Sequence, residues 1–334
     1  RKRLEASVRA AGKPGRTQGD VDAGLAAAAR RISAEYYIPH LSHAQMEPVV
    51  AVAQVKDGLV EVWAPTQSPQ DARAAIAACL KVEIDKVTVH VTLLGGAFGR
   101  KSKPDFLCEA AWLAREVGAP VRVQWTREDD LQNSYYHSVA AHRLEAGLDG
   151  AGAVVAWRHR AAYPAISASF APDITGPDGD ELTNGASDIP YAIPNMSIEA
   201  CPAVAHTRIG WYRSVNAVHH GYAIGSFVDE LAAAAGKDPL EFLLALIGPD
   251  RQVELSQAGL VPPASNYGAS WTDHPMDSAR AKGVLKLAAE KSGWGSALPK
   301  GRGRGIAMHR SFLSYVAMVV EVEVKPDGTV LVPC

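Results

Sequence analysis

A glycine-rich turn between a strand pattern and a helix pattern constrains this chain more than any other feature. Residues 87–93 (VTVHVTL) alternate like a β-strand, residues 95–99 (GGAFG) form the turn, and a helix is expected over 104–117. Glycines in such a turn permit positive φ and let backbone N–H groups approach an anionic ligand. The bulky Phe98 suits a pocket wall better than a plain turn, so the turn is a candidate binding loop.

The composition indicates a globular protein of two or three domains. The chain has 334 residues, of which 47% are hydrophobic and 21% charged. A net charge of −2 gives no electrostatic case for binding nucleic acid. No apolar run approaches the ~20 residues that span a bilayer. The sequence begins at Arg1, and no apolar segment typical of a signal peptide follows. The chain reads like an excised piece of a longer protein.

The four cysteines argue against a metal cluster held by this chain alone. Cys79, Cys108, Cys201 and Cys334 show none of the close spacings of iron–sulfur or structural zinc sites. Cys79 and Cys108 fall within apolar helical patterns, so both are predicted to be buried thiols.

Patterning along the chain predicts an α+β fold of mixed sheets with packed helices. Helices are predicted over residues 20–32, 68–80, 104–117, 218–235, 239–247 and 276–291. Strands are predicted over residues 34–38, 49–55, 59–64, 87–93, 121–125, 305–310, 315–324 and 329–332. Residues 171–194, rich in Asp, Gly and Pro, are expected to form a long surface loop.

Three segments are expected from these patterns. Residues 1–32 are predicted to be the tail of a preceding domain and a linker helix, and residues 33–247 the first complete domain. Residues 248–334 are predicted to be a connector and the first part of a second such domain.

A nucleotide-binding P-loop is the nearest rival interpretation of the glycine turn. The run from Gly95 to Ser102 nearly fits G-x₄-G-K-[ST], but Arg100 stands where the second glycine should let backbone amides wrap a phosphate. No apolar strand supplies the expected metal-holding aspartate. A P-loop-like nucleotide-binding protein is therefore the less favoured alternative.

Six sequence blocks together carry a resemblance. They are residues 43–48 (HAQMEP), 63–69 (WAPTQSP), 95–100 (GGAFGR), 125–130 (WTREDD), 210–215 (GWYRSV) and 226–231 (SFVDEL). Because these blocks occur in this order and spacing, the chain resembles the molybdopterin-binding large subunit of the xanthine dehydrogenase/aldehyde oxidase family. The nearest branch is the isoquinoline 1-oxidoreductase beta-subunit type, of which this chain would be a C-terminally incomplete representative.

The resemblance implies roles for particular residues. Gln67 matches the family glutamine that hydrogen-bonds a terminal oxygen ligand of molybdenum; the alternative is a local bond at a helix N-terminus. The loop that approaches the pterin and metal ligands comprises Gly95, Gly96, Ala97, Phe98, Gly99 and Arg100, with Phe98 in the pocket wall. Arg213 matches a family arginine near the active centre and is the tentative catalytic residue; a surface or ion-paired arginine is the alternative.

Departures from the family pattern limit the interpretation. Ser102 stands where xanthine-oxidising relatives carry a glutamate, which disfavours a purine substrate, and Ala97 replaces a common glycine. Adjacent His219 and His220 should point about 100° apart on a helix, so at most one faces any site and a structural role is predicted. No metal ligand is predicted among this chain's own side chains.

No residue of this chain is predicted to be the general base. The family base belongs to a downstream Gly-Val-Gly-Glu segment that is absent here. Glu47, Glu128 and Glu230 are carboxylates outside that motif.

The resemblance also implies an activity and partners. The complete enzyme would hydroxylate an sp² carbon of an aldehyde or N-heterocycle with water as the oxygen source. Its cofactor would be molybdopterin, in the cytosine dinucleotide form, with molybdenum, and electrons would leave through iron–sulfur clusters on a small partner subunit. A cytochrome-type protein is a candidate acceptor, and family analogy suggests a periplasmic or membrane-associated location. The alternative is a non-catalytic remnant or assembly module that only binds the small subunit.

Overall fold

The computed structural model describes residues 1–171, 173–253, 255 and 266–333. The strands are β1 (Lys13–Gln18), β2 (Arg30–Ile38), β3 (Val50–Lys56), β4 (Leu59–Ala64), β5 (Val87–Val91), β6 (Val121–Gln124), β7 (Ala140–Leu148), β8 (Val154–Ala162), β9 (Asn195–Cys201), β10 (Gln252–Val253), β11 (Met276–Asp277), β12 (Arg302–Ser311), β13 (Ser314–Val324) and β14 (Val330–Leu331). The helices are α1 (Lys2–Arg9), α2 (Val21–Ala27), α3 (Pro69–Leu80), α4 (Asp105–Val117), α5 (Arg127–Gln132), α6 (Gly179–Thr183), α7 (Ala217–Ala235), α8 (Pro239–Ile247) and α9 (Ser278–Ser292).

The largest sheet has the strand order β1-β9-β8-β7-β2. Its neighbours are antiparallel except for β8 and β9, which run parallel. Helix α7 packs on this sheet, where the Trp157 and Phe227 rings meet at 5.2 Å and are fully buried. Buried aromatic rings in edge contact stabilise such a core beyond their area burial.

A second sheet, with the order β5-β4-β3-β6, carries α3 and α4 and has its own core. Ile76 of α3 and Phe106 and Leu107 of α4 are fully buried there. Strands β4 and β5 are parallel, so their carboxyl ends meet at one edge. The Thr92 N–H donates to the Ala64 carbonyl at 3.1 Å beyond the last strand pair. The segments that follow the two strands are thereby brought side by side.

Strands β12, β13 and β14 form a third sheet against α7 and α9. Along β13 the side chains alternate: Ala317 and Val319 pack on the main core, whereas Met318 is exposed on the other face. Within the described residues, no helix is both long and apolar enough to cross a membrane.

Most helices and strands predicted from the sequence are present with small shifts at their ends. The helix expected over 68–80 is α3, that over 104–117 is α4, and those over 218–235 and 239–247 are α7 and α8. The predicted domain division at residues 32 and 247 stays a prediction; strand β1, within 1–32, pairs with β9 of the main sheet. The predicted connector after residue 247 lies partly outside the described residues.

Three local predictions were wrong. The helix expected over 20–32 ends at Ala27, because residues from Arg30 onward pair with β7 as an edge strand. The expected surface loop over 171–194 contains α6, and Leu182 and Ile193 in it are buried. Cys79 is exposed rather than buried, because it lies on the outer face of α3.

Candidate cofactor site

The structure brings Gln67 into direct contact with the glycine loop. Gln67 follows β4 and the loop follows β5, so both lie at the shared carboxyl edge of the parallel pair. The Gly99 N–H donates to Gln67 Oε1 at 3.0 Å, and the Gln67 N–H donates to the Lys101 carbonyl at 3.0 Å. Since an N–H must face an oxygen, the Gly99 bond fixes the orientation of the Gln67 amide.

This orientation leaves the Gln67 Nε2 group available as a donor. Its two N–H groups find no acceptor within the described parts of the chain, and the residue is exposed. A neutral amide presented in this way can donate to an oxygen of a bound group without competing to ligate a metal.

The loop backbone has a conformation that requires glycine at its centre. Gly96, Phe98 and Gly99 have φ values of 92°, 54° and 104°. A Cβ on Gly99 would lie 2.1 Å from the Trp211 carbonyl oxygen, far inside contact distance. Ala97 has negative φ and is buried, which explains how a side chain is tolerated there.

The loop also presents backbone donors without partners. The N–H groups of Gly96, Ala97 and Phe98 have no acceptor among the residues that the structure describes. By contrast, the Gly95 N–H donates to Glu47 Oε2 at 3.1 Å. Consecutive amides on a glycine turn are suited to an oxygen-rich or anionic group.

Arg100 anchors the loop to α4 through its side chain. Its guanidinium is fully buried and makes two 2.8 Å bonds to the Asp105 carboxylate. It also lies 5.4 Å from the ring centres of both Trp125 and Tyr135. The Arg100 N–H donates to the Ala97 carbonyl at 3.0 Å, so these groups are already engaged within the chain.

Lys101 is likewise engaged inside the protein. Its Nζ is buried and lies 2.5 Å from Glu47 Oε2, so it is not positioned to bind a phosphate as a P-loop lysine would. Burial alone would raise the pKa of Glu47, but hydrogen bonds from Lys101 Nζ and the Gly95 N–H and the Lys101 charge outweigh it. The pKa of Glu47 is therefore lowered from 4.5.

This lowered pKa predicts an acid-sensitive contribution to stability. A carboxyl whose folded pKa is depressed stabilises the protein above its unfolded value of 4.5, and this contribution is lost as pH falls through the folded pKa. The free energy of unfolding of Glu47→Gln should therefore be lower than that of wild type at neutral pH. The difference should shrink below pH 4.5, as measured by urea unfolding.

Glu116→Gln is the matched control, because Glu116 pairs with Arg115 on the surface. Exposed ion pairs contribute little to stability, so this variant should follow wild type across the same pH range. A pH-independent cost of Glu47→Gln would contradict the assigned role of the carboxylate.

Arg213 lies next to the loop, on the turn before α7. Its N–H donates to the Phe98 carbonyl at 2.9 Å, and Ser214 and Val215 beyond it have positive φ. Its side chain is exposed and pairs with no carboxylate in the part of the chain that the structure describes. Strained turns held in place by their surroundings are frequent at functional sites.

Exposed apolar side chains surround the loop. Met46 is 89% exposed and Leu93 94% exposed, and the Phe98 ring is 46% exposed. The loop therefore combines unpaired donors with an apolar border.

Comparison with known proteins identifies this architecture. A model of the molybdopterin cofactor-binding domain family matches residues 7–245, well over half of the chain. The chain belongs to this family. The α+β fold expected from the sequence is thereby confirmed, and so is the expectation of a molybdopterin cofactor.

Relatives of this molybdopterin cofactor-binding domain are oxidoreductase subunits. A nicotinate dehydrogenase subunit of Pseudomonas putida is 32% identical over 277 residues, which cover 80% of this chain and 23% of that protein. The beta subunit of isoquinoline 1-oxidoreductase from Brevundimonas diminuta is 29% identical over 84% of this chain and 33% of its own length. The chain thus spans about a quarter to a third of these two relatives.

Solved structures share the fold. Quinoline 2-oxidoreductase from Pseudomonas putida 86 superposes with a TM-score of 0.67 at 19% identity, covering 98% of this chain and 45% of that one. Aldehyde oxidoreductase from Desulfovibrio gigas gives a TM-score of 0.66 at 19% identity over 96% of this chain and 35% of that one.

Residues to which sequence reasoning gave no role also help to hold the glycine loop of the molybdopterin domain in place. The Trp211 carbonyl sets the close approach at Gly99, and it is bonded by His43 Nε2 at 2.6 Å. Asp130 is buried and accepts from Gln45 Nε2 at 2.8 Å. These residues lie within the sequence blocks 43–48, 125–130 and 210–215, so the blocks themselves were the available signal.

The structure places both His219 and His220 in one buried cluster, and the structural role expected for the pair stays a prediction. Both rings are fully buried, and their centres lie 4.3 Å apart. One ring nitrogen from each lies within 4.8 Å of a nitrogen of His142 on β7.

Proposed function

We propose that this domain supplies one wall of the active site of a molybdenum hydroxylase that oxidises an aldehyde or an N-heterocycle with water as the oxygen source. The observation that carries this proposal is the Gln67 amide, held by the Gly99 N–H with its own Nε2 donors unused. The relatives named as nicotinate dehydrogenase and isoquinoline 1-oxidoreductase support an aromatic N-heterocycle as the substrate class.

The residues at the site fit the cofactor. Gln67 Nε2 would donate to a terminal oxygen of the metal centre, and the unpaired N–H groups of Gly96, Ala97 and Phe98 would donate to cofactor atoms. Gly99 admits the close backbone packing that shapes this loop. When bound, the molybdenum cofactor supplies a two-electron acceptor and a route for water-derived oxygen to carbon. We assign it the cytosine dinucleotide form.

We propose that Phe98 and Arg213 act on the substrate. The exposed Phe98 ring offers an apolar face for an aromatic substrate, and Arg213 is tied to it through the Phe98 carbonyl. The guanidinium would orient the substrate or stabilise negative charge that develops during reaction.

None of the three carboxylates weighed as a base is assigned that role. Glu47 is held by Lys101, and Glu230 accepts from the Tyr36 hydroxyl at 2.6 Å. Glu128 is exposed on α5 and makes no hydrogen bond or ion pair with the loop in the described part of the chain. We propose that the base, an iron–sulfur subunit and a cytochrome-type acceptor are contributed from outside these residues.

Gln67→Glu tests the proposal in the assembled protein. Glutamate preserves the oxygen that accepts from Gly99 but removes both Nε2 donors. Turnover of an aldehyde, nicotinate or isoquinoline should fall about 10- to 100-fold, as is typical for residues that support metal ligands. Steady-state oxidation rates normalised to molybdenum content measure this effect.

Gln70→Glu is the control, since Gln70 is exposed on α3 three residues away. It should leave the rate unchanged. Unaltered turnover in Gln67→Glu would refute the donor role.

If the protein copurifies with an iron–sulfur partner and contains neither molybdenum nor pterin, the assembly module is favoured instead. Acid hydrolysis that releases CMP would support the dinucleotide form.

A further inference from the structure

A cluster of buried histidines lies between the main sheet and the start of α7. His142 and His159 come from β7 and β8, and His219 and His220 from α7. All four are fully buried. Four imidazoles in an apolar core are costly unless their polar atoms are satisfied. Their hydrogen bonds therefore decide what the cluster can be.

Hydrogen bonds within the cluster leave it incomplete. His142 Nδ1 lies 2.9 Å from His159 Nε2, and His142 Nε2 lies 3.1 Å from His219 Nδ1. With one proton on each ring, two protons occupy these contacts and the third must sit on His159 Nδ1 or His219 Nε2. Both nitrogens are buried and have no partner in the described structure. These side chains alone therefore always leave one buried N–H without an acceptor.

His220 supplies an unshared lone pair. Its Nδ1 lies 3.0 Å from the Asn184 carbonyl, which can only accept, so Nδ1 carries the proton. Its Nε2 is then an unprotonated nitrogen, buried and without a donor among the described residues. A backbone carbonyl that fixes the outer nitrogen is the usual second contact of a metal-bound histidine.

The three rings converge on one point. Each ring contributes one nitrogen, and the three nitrogens, from His142, His219 and His220, lie within 4.8 Å of one another. His142 Nε2 and His219 Nδ1 lie 3.1 Å apart, close to the ~3.4 Å that separates two ligands of a tetrahedral zinc with bonds of about 2.1 Å. A metal bound by both would replace the hydrogen bond between them, with the proton of His142 on Nδ1, facing His159 Nε2, and that of His219 on Nε2. The buried Tyr163 hydroxyl also lacks a partner among the described residues, and its ring centre lies 4.4 Å from that of His219.

We propose that His142, His219 and His220 bind a divalent late first-row transition metal, zinc in the first instance, at a site distinct from the molybdenum cofactor. Imidazole nitrogens suit such ions, whereas magnesium and calcium require oxygen ligands.

The expected role of the ion is structural. His219 and His220 lie in the first turn of α7, directly after the strained turn that holds Arg213 against the loop. A metal that joins this turn of α7 to β7 would fix the start of the helix. The inference does not rest on the proposed hydroxylase function, because all three ligands come from the core of this domain.

Metal analysis of the assembled wild-type protein is the first test. Inductively coupled plasma mass spectrometry should find about one zinc or similar ion per chain besides molybdenum. X-ray absorption at the zinc edge should show imidazole nitrogens at about 2.0–2.1 Å. Absence of a stoichiometric first-row metal, or a coordination sphere without imidazole, would overturn the proposal and leave ordered water as the missing partner.

His220→Gln identifies the ligands. Its metal content should fall at least tenfold relative to wild type. His90→Gln is the control, because His90 stacks on Trp63 in the second sheet, and it should keep the full metal content. If His220→Gln does not fold, the absorption spectrum of wild type still decides the matter. Full metal retention in a folded His220→Gln protein would contradict the assignment.

Discussion

Gly99→Ala is expected to destabilise the protein strongly and to deprive it of molybdenum. A φ of 104° costs a non-glycine residue about 1–3 kcal/mol. The new Cβ would in addition lie 2.1 Å from the Trp211 carbonyl oxygen, which is backbone and cannot swing aside. The loop would have to move away from Trp211, and the Gly99 N–H that orients Gln67 would move with it. Thermal unfolding and metal analysis of the purified variant measure the two effects.

Gly118→Ala is the control that separates the cost of a positive φ from the cost of the clash with the Trp211 carbonyl. Gly118 ends α4 with a φ of 69°, but a Cβ there would meet nothing within 4 Å. It should lose about 1 kcal/mol of stability and keep its molybdenum. If Gly99→Ala lost no more stability than Gly118→Ala and kept its molybdenum, the close approach of Trp211 to the loop would not be needed for cofactor binding.

Arg100→Met should cost about 3–5 kcal/mol of stability, which is typical of breaking a buried ion pair. The Arg100 side chain is fully buried, and Asp105 is only 13% exposed. Removing the guanidinium leaves the Asp105 carboxylate with Arg208, at 3.8 Å, as its remaining ion-pair partner within 4 Å among the described residues. It also removes the charge that lies against the Trp125 and Tyr135 rings. Urea unfolding followed by tryptophan fluorescence gives the value.

Arg100→Lys should recover only a small part of this loss. Lysine cannot reproduce the two parallel bonds to Asp105 or stack as a planar group on the rings. Arg115→Met, which breaks an exposed pair with Glu116 and a 3.2 Å bond to the Leu80 carbonyl, should cost only about 1 kcal/mol. Full recovery by lysine would show that Arg100 acts as a simple charge.

Local patterns predicted the helices and strands whose signals are strong. Ser68 followed by Pro69 at the first helical position indicated α3, and Gly118 indicated the end of α4. Alternation over 59–64 and 87–93 indicated the strands that became the parallel pair β4 and β5. These signals are carried by neighbouring residues, so a sequence reveals them.

Predictions failed where distant residues decide the outcome. The alanine-rich pattern over 20–32 favours a helix, yet Arg30 onward gains a strand partner in β7, more than a hundred residues away. The polar composition of 171–194 suggested a surface loop, but Leu182 and Ile193 pack against the main sheet. His142 joins His219 and His220 only through the fold, so no spacing in the sequence marks the cluster.

The cofactor site was likewise predicted only in part. The resemblance singled out Gln67 and the glycine loop, and the structure places the Gln67 amide 3.0 Å from the Gly99 N–H. The sequence could not show that Arg100 and Lys101 are turned inward, because their carboxylate partners Asp105 and Glu47 reveal themselves only in three dimensions. The roles of Gln67, Phe98 and Arg213 towards the cofactor stay proposals.

A crystal structure of the assembled protein, with anomalous data at the molybdenum edge, tests the account most directly. We predict one molybdenum peak beside the glycine loop, with an oxygen ligand about 2.9 Å from Gln67 Nε2. A peak bordered by other residues, with the Gln67 amide still turned only to Gly99 and to solvent, would contradict it.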